Sequence, residues 1–297
     1  MTQLRSLIYR NCKLFFKDKG LFFTSLITPL ILLVLYATFL ANVYRDSFVS
    51  ALGEFTAIDP SIIEAVVAGQ LFSSLMAVSC VTVSFCSNML MVQDKLTGAR
   101  NDLNMTPVKP STLSLSYYVA TLISTLLVCL VASLACFAYV AHAGWYMSAG
   151  DVAMIFLDIF LLVMFGTALS SIINLFLSTQ GQVSAVGSII SSMYGFICGA
   201  YMPISQFGSG LQTVLSFLPG TYATSLMRSH CLRGVLGEMA RIGFPEAALT
   251  GIRDAIDCNI YFFGNLVSDG VKLLVLSVTV AVLMGVYILL TMLRKNK

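Results

Sequence analysis

Residues 159–202 read IFLLVMFGTALSSIINLFLSTQGQVSAVGSIISSMYGFICGAYM, and no ionisable Asp, Glu, Lys, Arg or His interrupts them. The uncharged run continues to Met227. A helix needs about 20 mostly apolar residues to cross the hydrocarbon core of a bilayer. The run therefore holds more than one crossing, and the polar tract STQGQ at 178–182 is the natural break. Reading 153–177 and 183–202 as two successive membrane helices decides the fold class: an all-α integral membrane protein.

The rest of the chain agrees. It has 297 residues, 58% hydrophobic and only 10% charged, against about 25% charged in a soluble domain. Apolar runs at 21–43, 65–92, 113–141 and 271–292, the last with Lys272 at its edge, bring the expected crossings to six, in one membrane domain spanning 1–297. The first run is longer than the apolar region of a signal peptide and lacks a small-residue cleavage site, so it reads as a retained span. After Met202, the breakers Pro203, Gly208, Gly210, Pro219 and Gly220 do not suit a full crossing. They suit two short helices within 203–227 that dip into the membrane and return, shielded by protein. The net charge of +3 carries no nucleic-acid footprint. Eight cysteines show neither a CxxC nor a Cys/His cluster, so no metal site is expected. Cys231 and Cys258 fall on the same side and their pairing is left open.

Six crossings put both termini on one side. Arg5, Arg10, Lys13, Lys17 and Lys19 precede the first span, Lys95, Arg100 and Lys109 lie in 93–112, and Arg294, Lys295 and Lys297 end the chain. The positive-inside rule makes all three cytoplasmic and leaves 203–270 outside. Trp145 and Tyr146 suit an interfacial aromatic belt. Asp158, near the outer end of the fourth span, is expected at the interface.

Two cytoplasmic segments stand out. In 1–20, apolar residues at 4, 7, 8, 12 and 15 form a helical stripe among basic ones, the pattern of an amphipathic helix lying in the membrane plane. Segment 93–112 alternates charge through Asp94, Lys95, Arg100 and Asp102 around Gly98, then stops at Thr106-Pro107-Val108-Lys109-Pro110. By composition it is equally a docking handle and a plain connection.

This segment resembles a signature of the ABC type-2 exporter permeases: a charged run, a Gly followed by a small residue, a few helical positions, then Thr-Pro-Val. Asp94, Lys95, Gly98, Thr106, Pro107 and Val108 match it. Ala99 stands where a hydroxyl residue is usual, and Asn101, Asp102 and Asn104 are more polar than is common. A second stretch, with Met202-Pro203, Leu218-Pro219, Thr221-Tyr222 and Arg228, is similar to the external re-entrant region of those permeases. The resemblance covers 1–233 and 271–292 and offers no role for 234–270. It implies that residues 95–106 form a coupling helix on a separate P-loop ATPase, and that Asp94, Lys95, Gly98, Arg100, Asp102, Thr106 and Pro107 serve that contact. Pro203, Pro219, Tyr222 and Arg228 would shape the external helices. The chain itself contains no G-x-x-x-x-G-K-[ST] motif, so it is not read as an enzyme, and ATP and Mg belong to the partner.

Hydroxyl and small residues in the second and fifth spans, including Ser74, Thr82, Asn88, Ser188, Ser191 and Gly195-x-x-x-Gly199, support two readings. One is close packing within the subunit. The other, which the resemblance favours, is a pathway between this chain and a second permease subunit, homo- or heterodimeric. A mildly polar, uncharged lining suits a lipid-like molecule, a drug or a peptide better than a strongly ionic cargo. The expected setting is the cytoplasmic membrane, in contact with its lipid. The alternatives are an ion-coupled secondary carrier, which would want intramembrane carboxylates and repeated halves, and a membrane enzyme or scaffold without transport.

Overall fold

The computed structural model describes residues 2–52 and 59–293. Helix α1 (Thr2–Lys17) ends where Asp18 turns extended and caps α2 (Lys19–Leu35) by accepting from the Leu21 amide at 3.0 Å. The break bends the chain by 74°. A π-helical segment (Tyr36–Leu40) carries α2 into α3 (Ala41–Leu52). Asp59 and Pro60 then start α4 (Pro60–Ser87), the carboxylate accepting from the Ser61 amide and the proline occupying the first turn, where its missing N–H costs nothing. After a break at Asn88 the helix resumes as α5 (Met89–Leu96), followed by the short α6 (Ala99–Asn104).

Two long helices follow, α7 (Pro110–Ala143) and α8 (Ala149–Phe176), the second opened by a reciprocal capping box between Ser148 and Asp151. The tract that divides the uncharged run forms the start of α9 (Gln180–Ile197) by the same device, with Thr179 and Gln182 capping each other's backbone amides. A short α10 (Ser209–Leu215), a long α11 (Pro219–Arg241), α12 (Glu246–Ala255), a hairpin of β1 (Tyr261–Phe262) and β2 (Asn265–Leu266), and α13 (Asp269–Leu293) complete the chain.

Among the described residues, four helical stretches are long and apolar enough to cross a membrane: 60–96, 110–143, 149–176 and 269–293. The bent pair α1–α2 makes a fifth if it is counted as one crossing. The expectation of six is thus met only in part, because α9, with Gln180, Gln182 and four serines, is too polar to qualify by composition. The basic tail 294–297, one support of the orientation argument, lies outside the described residues.

Helix α4 is the axis of the bundle. It packs against α2, α7, α8, α9 and α11, and 83% of its apolar stretch is buried inside the chain, against 17% for α13. Helix α1 lays Leu7, Asn11 and Phe15 on protein, mainly α7. Part of the stripe read from the sequence as lipid-facing therefore has a protein partner.

At the other end of α4 the structure departs from expectation. The segment 203–227 is not two short helices. Helix α10 is short, but Pro219 opens a helix that continues to Arg241 and buries most of its length against α4, α8 and α13. The boundary at 233/234 falls within this helix; local breakers mark where α11 starts but not how far packing extends it. Cys231 and Cys258 are both buried free thiols.

Candidate functional site

The elbow between α4 and α7 is rooted from three sides. Asp94 is buried at the end of α5, where Arg10 of α1 grips it with two bonds (2.6 Å to Oδ2, 3.2 Å to Oδ1) and the Tyr117 hydroxyl of α7 donates to Oδ2 at 2.5 Å. The carboxylate, the first cause, holds the Arg10 guanidinium above its ordinary pKa. Lys95 points the other way. Its Nζ donates to the carbonyls of Asn174 (2.5 Å), Leu175 (3.1 Å) and Leu177 (3.1 Å), at the C-terminus of α8. Those carbonyls sit at the negative end of the helix dipole, so a half-buried ammonium is well placed there.

About two turns earlier, Asn88 ties three helices. Its side-chain amide donates to Ser170 and Ser171, both at 3.0 Å, its oxygen accepts from Thr121 at 3.3 Å, and its own carbonyl accepts from Asn174 at 3.1 Å. A chain break at the end of a long crossing is thereby fixed rather than loose.

Beyond this root the polypeptide projects. Gly98 takes a left-handed φ of 82°, a conformation that strains any residue with a Cβ, and reverses the chain into α6. Asn101, Asp102, Asn104, Met105, Thr106 and Pro107 are exposed, and Arg100 is half-buried. Met105 is 89% exposed. The residues expected to act together thus separate into two sets: Asp94 and Lys95 face inward and hold the elbow, while Asp102, Thr106 and Pro107 face outward. Sequence reading missed the root partners Arg10, Tyr117 and Asn174 and the apolar tip Met105, since none carries a local pattern.

The residues proposed for a pathway also separate. Ser74, Thr82 and Asn88 lie inside the bundle. Ser188 and Ser191 are exposed along α9. Gly195 does not face another helix of the GxxxG kind: a Cβ there would strike the Tyr201 ring in the turn that follows α9.

Midway along α4 lies a second hub. Arg228 of α11 is 1% exposed. Its Nη2 donates to Ser74 Oγ of α4 (3.0 Å) and to the Gly199 carbonyl (2.6 Å), and its Nη1 to the Ile256 carbonyl (3.2 Å) and Asp257 Oδ2 (3.3 Å). Asp257 also accepts from the amides of Ile204 (2.5 Å) and Ser205 (3.2 Å). Burial raises the Asp257 carboxyl above its ordinary value, and Arg228 opposes that rise. One guanidinium therefore locks α4, the turn after α9 and the end of α12. Pro203 leads into this turn, Pro219 starts α11, and Tyr222 donates to the Ser216 carbonyl at 2.6 Å, so the four residues expected to shape this region all lie within it.

Asp158, expected at the interface, is covered by protein, with Oδ2 2.6 Å from Nδ1 of the equally buried His230, which α11 supplies. Among the described residues, no group of His, Cys, Asp and Glu could hold a metal ion.

A bundle of apolar helices around a buried axis, with a rooted polar elbow at one end, is the architecture of a multi-pass membrane protein. A model of the ABC-2 type transporter family matches residues 2–232, and the chain belongs to that family. A search of curated proteins gives no match. The match ends within α11, so α12, the hairpin and α13 lie beyond it.

Proposed function

We propose that this chain is the permease subunit of an exporter driven by a separate P-loop ATPase, and that the α5–α6 elbow is where the motor engages. The observation that carries this reading is the contrast at the elbow: an exposed tip with an almost fully solvent-facing methionine, seated on a root that grips α1, α7 and α8. A push on Asp102 or Met105 reaches three helices through Asp94 and Lys95. Asp94 and Lys95 act in this scheme as transmitters, and Arg100, Asp102, Met105, Thr106 and Pro107 as the contact. ATP and Mg are held by the partner and none by this chain.

The motor shifts the permease between inward-open and outward-open states only if it binds them with different affinity. In this reading α1 lies in the membrane plane, α9 completes six crossings, both termini and the elbow face the cytoplasm, and the exposed serine face of α9 meets a second permease subunit. The cargo passing there is amphipathic or apolar.

The test is capture. A tagged chain is expected to retain a P-loop ATPase, and Arg100→Glu with Asp102→Lys or Met105→Asp to reduce that retention at least tenfold with the chain still folded. Recovery of wild-type chain without any ATPase refutes the reading.

A further inference from the structure

The hairpin between α12 and α13 is built against its own turn chemistry. Tyr261 pairs with Leu266 and Phe262 with Asn265, leaving Phe263-Gly264 as a two-residue turn with φ of 48° and 82°. Two positive φ values define a turn that favours Asn, Asp or Gly at both positions. A phenylalanine in the first is strained, and a strained side chain at an exposed tip points to a use for it. Phe263 is 74% exposed. Its ring lies 4.8 Å from Phe262 and 6.1 Å from Phe217, which also meets Phe262 at 5.2 Å.

The depth of this cluster follows from α11. That helix runs antiparallel to α4, with Arg228 at Ser74 and Leu232 against Gly69. Nine residues separate Pro219 from Arg228, so at 1.5 Å per residue the start of α11 lies about 13 Å farther along α4 toward the elbow. Phe217, two residues before Pro219, is thus level with the apolar body of the bundle, where Thr221 reaches the carbonyls of Ile197 and Leu215. The hairpin hangs beside the bundle at this level. Phe217, Val214 of α10 and Leu266 are exposed with it, and within five residues of Leu266 the chain enters the outward face of α13, where Val271 and Leu274 are exposed. That face belongs to the least covered of the candidate crossings, and continuity with it names the occupant.

We propose that the Phe262–Phe263 hairpin is a lipid wedge: its tip inserts among the acyl chains of the adjacent leaflet and holds α10 at the membrane. The hairpin gives a task to a stretch outside the family match. This inference needs only that the chain sits in a membrane, so it stands or falls apart from the ATPase reading.

The chain has a single tryptophan, Trp145. In a Trp145→Phe background, Phe263→Trp provides one fluorophore at the tip of the full-length chain in lipid nanodiscs. Its emission is expected to be blue-shifted and quenched at least twofold by lipids brominated near the headgroup end of their acyl chains, and spared by aqueous iodide. Iodide quenching without bromolipid quenching overturns the proposal, as does protection from both, which would mean that protein covers the tip. Phe217→Trp repeats the measurement from the neighbouring ring, so a folding defect at 263 leaves the test intact. Phe263→Asn suits the turn and is expected to keep the melting temperature in detergent, yet raise hydrogen exchange over 209–217 severalfold in nanodiscs. Unchanged exchange in that variant also overturns the wedge.

Discussion

Helices α4 and α9 carry much the same chemistry and use it in opposite ways. In α4, Ser73, Ser74, Ser79, Thr82 and Ser84 are all buried within the chain, as is Asn88 at its end. Several satisfy themselves on their own helix: Thr82 donates to the Val78 carbonyl at 3.0 Å and Ser84 to that of Cys80 at 2.7 Å. Ser74 and Asn88 instead join helix to helix. In α9, Ser184, Ser188, Ser191 and Ser192 face outward. A row of hydroxyls on a membrane helix therefore does not fix what that helix faces. Those of α4 hold the subunit together, and those of α9 are left for whatever lies outside it.

The sharpest way to break this contrast is at the hub that α4 shares with α11. Arg228→Met removes the partner of a buried carboxylate and leaves Ser74 and two carbonyls without their donor. Loss of one member of a buried ion pair costs about 3–5 kcal/mol. Thermal unfolding in detergent should show a loss of that order, largest at neutral and alkaline pH. Burial already raises Asp257, and without Arg228 the folded carboxyl rises further. Relative to wild type the penalty therefore grows as pH climbs from the wild-type folded value, itself above the ordinary carboxylate value of about 4, toward the still higher value of the variant, and it fades below the wild-type folded value. A variant as stable as wild type at neutral pH would mean the hub is ornamental.

Next in size is Asn88→Leu, which leaves Thr121, Ser170 and Ser171 without their shared partner. Buried polar groups stranded in this way cost about 1–3 kcal/mol. The expected loss sits between that of the hub and that of a single serine, and under the proposed function coupling through the elbow should weaken with it, read as slower ATP hydrolysis by the proposed complex with the motor. The smallest effect separates the two helices directly. Ser74→Ala should cost about 1 kcal/mol through its bond to Arg228, whereas Ser191→Ala should stay within about 0.5 kcal/mol of wild type, as surface substitutions do. Equal costs for the two would erase the distinction drawn between α4 and α9.

Much of this was readable from local features. The tract at 178–182 marks a helix start because Thr179 and Gln182 form a capping box, and the elbow at Gly98 follows from one residue type. Asp158 was not readable. A carboxylate near a span end looks interfacial until α11 brings His230 to it from 72 positions away. The same holds for Asp94 and Lys95. Their charges suggested an outward contact, but their partners, Arg10 and the carbonyls of Asn174, Leu175 and Leu177, sit on α1 and at the end of α8.

By itself the sequence determined the all-α membrane class and located the four helices long and apolar enough to cross. In a bilayer each backbone amide must find its partner within its own helix, so apolar length along the chain suffices to mark a crossing. It could not determine which faces of those helices meet protein. Lipid tails are as apolar as leucine, and hydrophobicity does not distinguish a helix covered by neighbours from one bathed in lipid. Only the tertiary structure, through shape and a few distant polar ties, made α4 the axis and left α9 and α13 facing outward.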